Sequence, residues 1–257
     1  MIALDGVPAD DRGLLLGDGL FETLLAVDGV LADLDAHLDR LAAGCVTLGL
    51  PPPNRAEAER LMRQALADVA TPRVAVRLTL TAGSGGRGLD RPAEPTPRLF
   101  ATAAASAAPQ GPARLALSAV RRNEGSPASR LKTLAYLDNV LARAQARGKG
   151  ADEAVMLNNR GEVACGAAAN IFWVRAGRLF TPALDCGALA GVMRARVIAA
   201  ASGLGVETAQ VAAGPPDLIG AEAVFLTNSL IGVRGVAALD ATDFGPNALV
   251  ERLAKAL

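Results

Sequence analysis

Ser129-Arg130-Leu131-Lys132-Thr133-Leu134-Ala135-Tyr136-Leu137-Asp138-Asn139-Val140-Leu141 sets one lysine among apolar residues, where a polar loop gives way to a helical pattern. Leu131, Leu134, Leu137 and Leu141 recur at helical spacing. The pattern predicts a helix to about Ala146 with one face buried and Lys132 at the edge of that face. Burial disfavours an ammonium and lowers its pKa, which makes a lysine a nucleophilic amine able to form a Schiff base. A lysine that snorkels its head to water from an amphipathic helix would look the same over this stretch. The rest of the chain has to decide between the two.

The 257 residues suffice for one large domain or two modest ones. Hydrophobic residues make up 51% and aromatics only 3%, so Leu, Val and Ala must fill the core. Lys+Arg and Asp+Glu balance at 26 each, which argues against a nucleic-acid or anionic-membrane surface. No apolar run reaches the length of a membrane span, and the start of the chain lacks a basic-then-apolar signal pattern. Cys45, Cys165 and Cys186 stand at unrelated spacings, which suits a reducing cytoplasm and offers neither a zinc nor a disulfide framework. His37 is the one histidine. No ligand-spaced Cys or carboxylate cluster accompanies it, so a Ser-His-Asp hydrolase and a multi-histidine metal site are both disfavoured.

Working outward, Met1–Leu4 reads as a strand, and Phe21–Val27 as another. Asp28-Gly29 turns that second strand back into Val30. Asp33 or Asp35 can cap a helix carrying His37, Arg40 and Leu41. A second helix spans about Arg55–Val69. Val74–Thr81 alternates as a half-buried strand. It runs into Gly83-Ser84-Gly85-Gly86-Arg87-Gly88, a loop able to hold an anion on its backbone N–H groups with Arg87 as the charge. Leu99–Ala103 is a strand and Ala104–Pro112 the best linker. Beyond the lysine segment, Glu153–Leu157 is a strand, and Val163–Val174 reads as two short strands around a small-residue bend with room for something flat. Ala190-Gly191-Val192-Met193-Arg194 opens a helix whose N-terminus is an anion site. Val224–Ser229 is a strand ending in hydrogen-bonding residues, and Asn247–Leu257 a closing helix. Elements alternate without a steady βαβ rhythm, so α+β is expected rather than a doubly wound sheet. A lysine, a flat slot and a phosphate site are the parts that pyridoxal phosphate needs.

With those residues in hand, the chain resembles the fold-type IV pyridoxal-phosphate enzymes. These include branched-chain aminotransferases, D-amino-acid aminotransferases and 4-amino-4-deoxychorismate lyases. The carriers run in order: Arg12-Gly13 with Gly17–Thr23, His37-Leu38-Asp39-Arg40-Leu41, Gly83–Gly88, Lys132-Thr133-Leu134, Ala169–Phe172, Gly191–Arg194 and Thr227-Asn228-Ser229. The Ser84–Gly88 loop and the Lys-Thr-Leu segment look most like the lyase branch.

The resemblance implies a small N-terminal α/β sandwich over 1–108 and a larger C-terminal domain with a barrel-like sheet over 109–257, with the cofactor at their junction. It implies a cytoplasmic homodimer that acts on a small molecule. Lys132 would carry pyridoxal 5′-phosphate and move the Cα proton. Arg40 would hold the phosphate, helped by the backbone at Val192 and Met193 and by Ser229. Arg87 and Tyr136 are the residues expected to meet substrate. The family has a hydroxyl where Met193 stands and commonly an asparagine where Ala135 stands. Lyase relatives can carry arginine at the place of Ala82. At Cys165 the family places a glutamate that keeps the pyridine nitrogen protonated. A thiol offers no such charge, so the expected activity is conversion of 4-amino-4-deoxychorismate to 4-aminobenzoate and pyruvate. Transamination of branched-chain or D-amino acids is the alternative, and a cofactor-binding protein without turnover the third reading.

Overall fold

The computed structural model describes residues 6–257. The strand expected over Met1–Leu4 lies outside the described residues. Contacts divide the chain into two compact units, Met1–Ala107 with Leu131–Ala135, and Ala108–Arg130 with Tyr136–Leu257.

The first unit opens with α1 (Arg12–Leu16). The Asp11 side chain accepts the Gly13 N–H at 2.8 Å to cap it, and Gly17 at φ 67° ends it. β1 (Gly19–Val27) turns at Asp28 and Gly29, both at positive φ, into β2 (Val30–Leu31). α2 (Leu34–Leu48) begins after Asp33, which makes no side-chain cap, and α3 (Arg55–Ala67) after Asn54, which does. β3 (Arg73–Thr81) and β4 (Arg98–Ala105) complete an antiparallel sheet in the order β2-β1-β3-β4. Leu20, Leu24, Val74, Val76, Leu78 and Leu80 pack with Leu38, Leu41, Cys45 and Met62 of the two helices. A Cβ on Gly19 would lie 2.3 Å from the Leu80 carbonyl oxygen, so β1 and β3 approach there as only glycine allows.

The lysine segment departs from the helical expectation. Helix is confined to α4 (Pro127–Arg130) and α5 (Leu137–Gly148), both numbered here ahead of the second unit's strands. Between them the backbone lies along β1. The Phe21 N–H donates to the Lys132 carbonyl at 2.9 Å and the Leu134 N–H to Gly19 at 3.0 Å, with an antiparallel bridge between Leu20 and Thr133. β2 pairs only with Ala26 and Val27, so the rest of that β1 edge needs partners, and this segment supplies them. Leu131 packs on the first core, but Leu137 and Leu141 are 68% and 47% exposed; α5 buries Asn139, Ala142 and Ala146 instead.

In the second unit β5 (Ala113–Arg122), β6 (Glu153–Asn158), β7 (Val163–Gly166), β8 (Asn170–Arg175) and β9 (Arg178–Pro182) precede α6 (Val192–Gly203). β10 (Thr208–Val211), α7 (Pro215–Ile219), β11 (Ala223–Asn228), β12 (Gly232–Leu239), β13 (Thr242–Asp243) and α8 (Ala248–Lys255) follow. The sheet runs β10-β9-β8-β11-β12-β5-β6-β7, with β13 on β12. β12, unforeseen from the sequence, lies between β11 and β5 and is parallel to β5.

Candidate active site

Lys132 sits half-buried in the first unit, its backbone pinned to β1. Its Nζ lies 4.2 Å from the centre of the Phe21 ring, and the guanidinium carbon of Arg77 lies 3.6 Å from the same centre. Each cation gains from the ring's negative face, by about 0.5–2 kcal/mol. Two cations on one ring also make a positive field suited to a carboxylate or phosphate. The sequence reading missed Phe21 and Arg77 as site residues. The signal was the phase of two paired strands: Phe21 opposes Thr79, and Arg77 opposes Thr23, so all four share one sheet face.

Arg40, on α2, reaches Glu22 of β1 through Nε at 2.8 Å and Nη2 at 2.5 Å. His37 Nδ1 lies 2.7 Å from the same carboxylate. Burial pushes the Glu22 carboxyl up, but the bonds from His37 and Arg40 outweigh it and hold the group below the usual carboxylate range.

The segment that leaves the glycine-rich loop turns its carbonyls to a cation. Gly83, Gly85, Gly86 and Gly88 all take positive φ. The Arg12 guanidinium donates to the carbonyls of Leu89 at 2.9 Å and Asp90 at 3.0 Å, and at 3.4 Å to Gly88. Arg12 and Arg91 both pair with Asp18, whose carboxyl Arg91 chiefly holds below its usual value. Arg87 is exposed on this loop.

The second unit holds Cys165, Val192, Met193, Ser229 and Tyr136. Cys165 is buried on β7 opposite Met156. Burial pushes its thiol up; Arg122 opposes that and Glu153 adds to it. Arg122 is itself buried and donates to Asn139 Oδ1 at 3.1 Å and to the Ser129 carbonyl at 2.6 Å. Asn139 passes the chain on, Nδ2 to the Ala167 carbonyl at 2.6 Å, which steadies the bend after Cys165. Burial raises the Glu153 carboxyl against Arg143 and the N–H groups of Ala154, Ala167 and Ala168. The sequence reading assigned neither Arg122 nor Glu153 a role at the site; Glu153 figured there only as the start of a strand.

No side chain caps the N-terminus of α6 at Gly191. A Cβ on Gly191 would stand 2.0 Å from Asn170 Oδ1, so this turn closes only with glycine. Asn228 Oδ1 accepts the N–H groups of Leu230 and Ile231 at 2.9 Å each, which shapes the turn carrying Ser229. The buried Thr227 hydroxyl finds no hydrogen-bond partner among the described residues. Tyr136 is half-buried at the start of α5. In the second unit, an uncapped helix N-terminus and a buried hydroxyl with no hydrogen-bond partner among the described residues fit a phosphate group. In the first unit, taken by itself, a half-buried amine beside a second cation fits an anionic aldehyde. Among the described residues no group of three or more Cys, His, Asp or Glu could hold a metal ion, and no helix is long and apolar enough to cross a membrane.

Residues 19–239 match the amino-transferase class IV family, and the chain belongs to it. The family is pyridoxal-phosphate dependent and its two-domain fold is the α+β one observed. The chain is 30% identical to the aminodeoxychorismate lyase of Vibrio harveyi over 96% of its own length and 94% of that protein's. It is 34% identical to a Methanocaldococcus jannaschii protein provisionally named a branched-chain-amino-acid aminotransferase, over 90% and 81%. A crystal structure from Legionella pneumophila, provisionally named a 4-amino-4-deoxychorismate lyase, superposes with a TM-score of 0.91 at 28% identity, covering 98% of this chain and 94% of that one.

Proposed function

We propose that the protein is a pyridoxal-phosphate lyase that converts 4-amino-4-deoxychorismate to 4-aminobenzoate and pyruvate. Cys165 carries the proposal: a buried thiol, its pKa raised, stands where the family resemblance leads one to expect a glutamate. It stays neutral and offers at most a weak hydrogen bond. Lys132 and Arg40 are the cofactor ligands from the first unit, Cys165, Val192, Met193 and Ser229 those from the second. The backbone N–H groups at the start of α6 and the Arg40 guanidinium bind phosphate. The bound cofactor supplies an electron sink conjugated to the carbon that bears the substrate's nitrogen. Lys132 would take the proton from that carbon while the ring C–O bond breaks; the side chain leaves as enolpyruvate with the electron pair and is protonated at its methylene carbon to give pyruvate. A leaving group and an aromatising ring ask less of the sink than transamination does. Arg77, beside Lys132 on the Phe21 ring, receives a substrate carboxylate, and Arg87 and Tyr136 complete the substrate contacts.

A second reading is transamination of branched-chain or D-amino acids, its branched-chain part supported by the 34% relative. A paired assay separates the two. Aminodeoxychorismate is expected to yield 4-aminobenzoate, while L- and D-amino acids with 2-oxoglutarate turn over slowly. Fast transamination with no 4-aminobenzoate overturns the lyase reading.

The working form proposed is a cytoplasmic homodimer. Leu14, Leu15 and Leu16 of α1 are exposed in the first unit, and Leu137, Val140 and Leu141 of α5 in the second. Apolar clusters of this kind mark association surfaces. Light scattering on the eluting protein is expected to give twice the 26.1 kDa chain mass. Leu137→Glu with Val140→Lys is expected to shift it toward the monomer, and an unshifted mass removes α5 from the interface.

A further inference from the structure

Glu22 is the most deeply placed charge near Arg40: its side chain is 1% exposed, against 18% for Arg40. Arg40 commits its Nε and Nη2 edge to this carboxylate as a two-pronged fork, which fixes the plane of the guanidinium. His37 fixes the carboxylate in turn. Glu22 is held ionised and can only accept, so the hydrogen on the 2.7 Å contact belongs to His37 Nδ1. α2 brings His37, Arg40 and Leu41 to one side at i, i+3 and i+4, and His37 and Leu41 are both buried there. Nothing in this arrangement is local to α2 alone. Glu22 lies on β1 next to Phe21, whose N–H holds the Lys132 carbonyl and whose ring meets Lys132 Nζ. One strand therefore orients both the amine and the guanidinium.

A buried carboxylate beside a phosphate-binding arginine is costly on electrostatic grounds alone. It must be desolvated, and it cancels part of the positive charge the phosphate seeks. Its gain is geometric: a guanidinium held in one plane loses less freedom when an anion arrives.

We propose that Glu22 is a positioning residue for the cofactor's phosphate, its carboxylate locking the Arg40 guanidinium into the plane that receives the anion. This rests on the reading of Arg40 as a phosphate ligand. If orientation governs, Glu22→Gln weakens cofactor binding even though it leaves Arg40 more positive. If charge governs, the same change strengthens it.

The test uses the holoprotein. Pyridoxal-phosphate affinity is measured by equilibrium dialysis, and the bound phosphate by its 31P resonance, which a purely structural role would not move. Glu22→Gln is expected to lose about 10- to 100-fold in affinity, the scale of a charge-assisted bond, with a displaced resonance. Glu22→Asp keeps the charge but retracts it by one methylene, so a smaller loss in the same direction is expected. Asp11→Asn, at a buried carboxylate bound to Gly13 and Thr81 and outside the proposed phosphate site, is expected to lower the melting temperature only. Unchanged or tighter binding in folded Glu22→Gln, with an unmoved resonance, overturns the proposal. If Glu22→Gln does not fold, the same outcome in Glu22→Asp overturns it. Arg40→Lys tests the underlying reading separately: wild-type affinity and resonance in that variant remove Arg40 from the phosphate site, whatever Glu22 does.

Discussion

Lys132→Ala is expected to lower turnover by roughly 10⁴-fold or more while leaving the protein folded. The two halves of that expectation come from different atoms. The fold uses the backbone of residue 132: its carbonyl accepts the Phe21 N–H, and the neighbouring Leu134 N–H reaches Gly19. Alanine keeps both bonds. The side chain contributes its contact with the Phe21 ring, and losing a half-exposed cation–ring contact costs about 0.5–1 kcal/mol. In the proposed mechanism, in contrast, activity depends on the amine both as nucleophile and as proton carrier. Arg77 lies on the same ring, but a guanidinium stays protonated and cannot serve as a base. A holoprotein band at about 410–420 nm, the signature of pyridoxal bound to a lysine, should be absent in the variant. Retention of turnover and of that band, in a variant with a wild-type melting curve, would place the reactive amine elsewhere.

Where local chemistry decides structure, the sequence was readable. Val74, Val76, Leu78 and Leu80 are buried in β3 as their alternation requires, and Asp28-Gly29 makes the turn its positive φ angles demand. Where a backbone is claimed by a distant partner, pattern misleads. Leu131, Leu134, Leu137 and Leu141 imitate a helix face, yet the free edge of β1 holds Lys132–Leu134 as a turn and bend through an isolated bridge and two backbone hydrogen bonds. β12 carries Gly232, Arg234 and Gly235, which dilute its alternation, and its place between β11 and β5 comes from pairings far apart in sequence. The glycine loop's N–H groups suggested an anion. What the sequence did not reveal is that Arg12, more than seventy residues away, collects the carbonyls of Gly88, Leu89 and Asp90 at the end of that loop. Glu22 and Glu153 were silent for another reason: the environment that shifts each carboxyl exists only once the strands and helices have packed.

Cys165→Glu is expected to raise transamination by about 10- to 100-fold relative to elimination. The native thiol is buried and pushed toward its neutral form, so in the proposed site it would place no charge at the ring's far end. A carboxylate there would hold a proton on the pyridine nitrogen, and each pK unit of added preference for the protonated ring is a factor of ten. Transamination returns the electron pair to the cofactor and draws on all of that preference; expulsion of a leaving group draws on little. A carboxylate in so closed a place costs stability, by about 1–3 kcal/mol if only partly compensated. Two neighbours limit the cost. Arg122 already pulls the Cys165 pKa down, so it would favour the new anion, and Glu153 is itself biased toward the neutral acid. Asn139, bridging Arg122 to the Ala167 carbonyl, keeps the bend in place while the side chain changes. Cys165→Ser serves as the control of similar size, with neither charge nor a raised transamination rate expected. If the ratio of the two reactions is the same in the wild type and in folded Cys165→Glu, residue 165 does not choose between them. The preference must then lie with groups that hold the substrate, with Arg77 the first to replace.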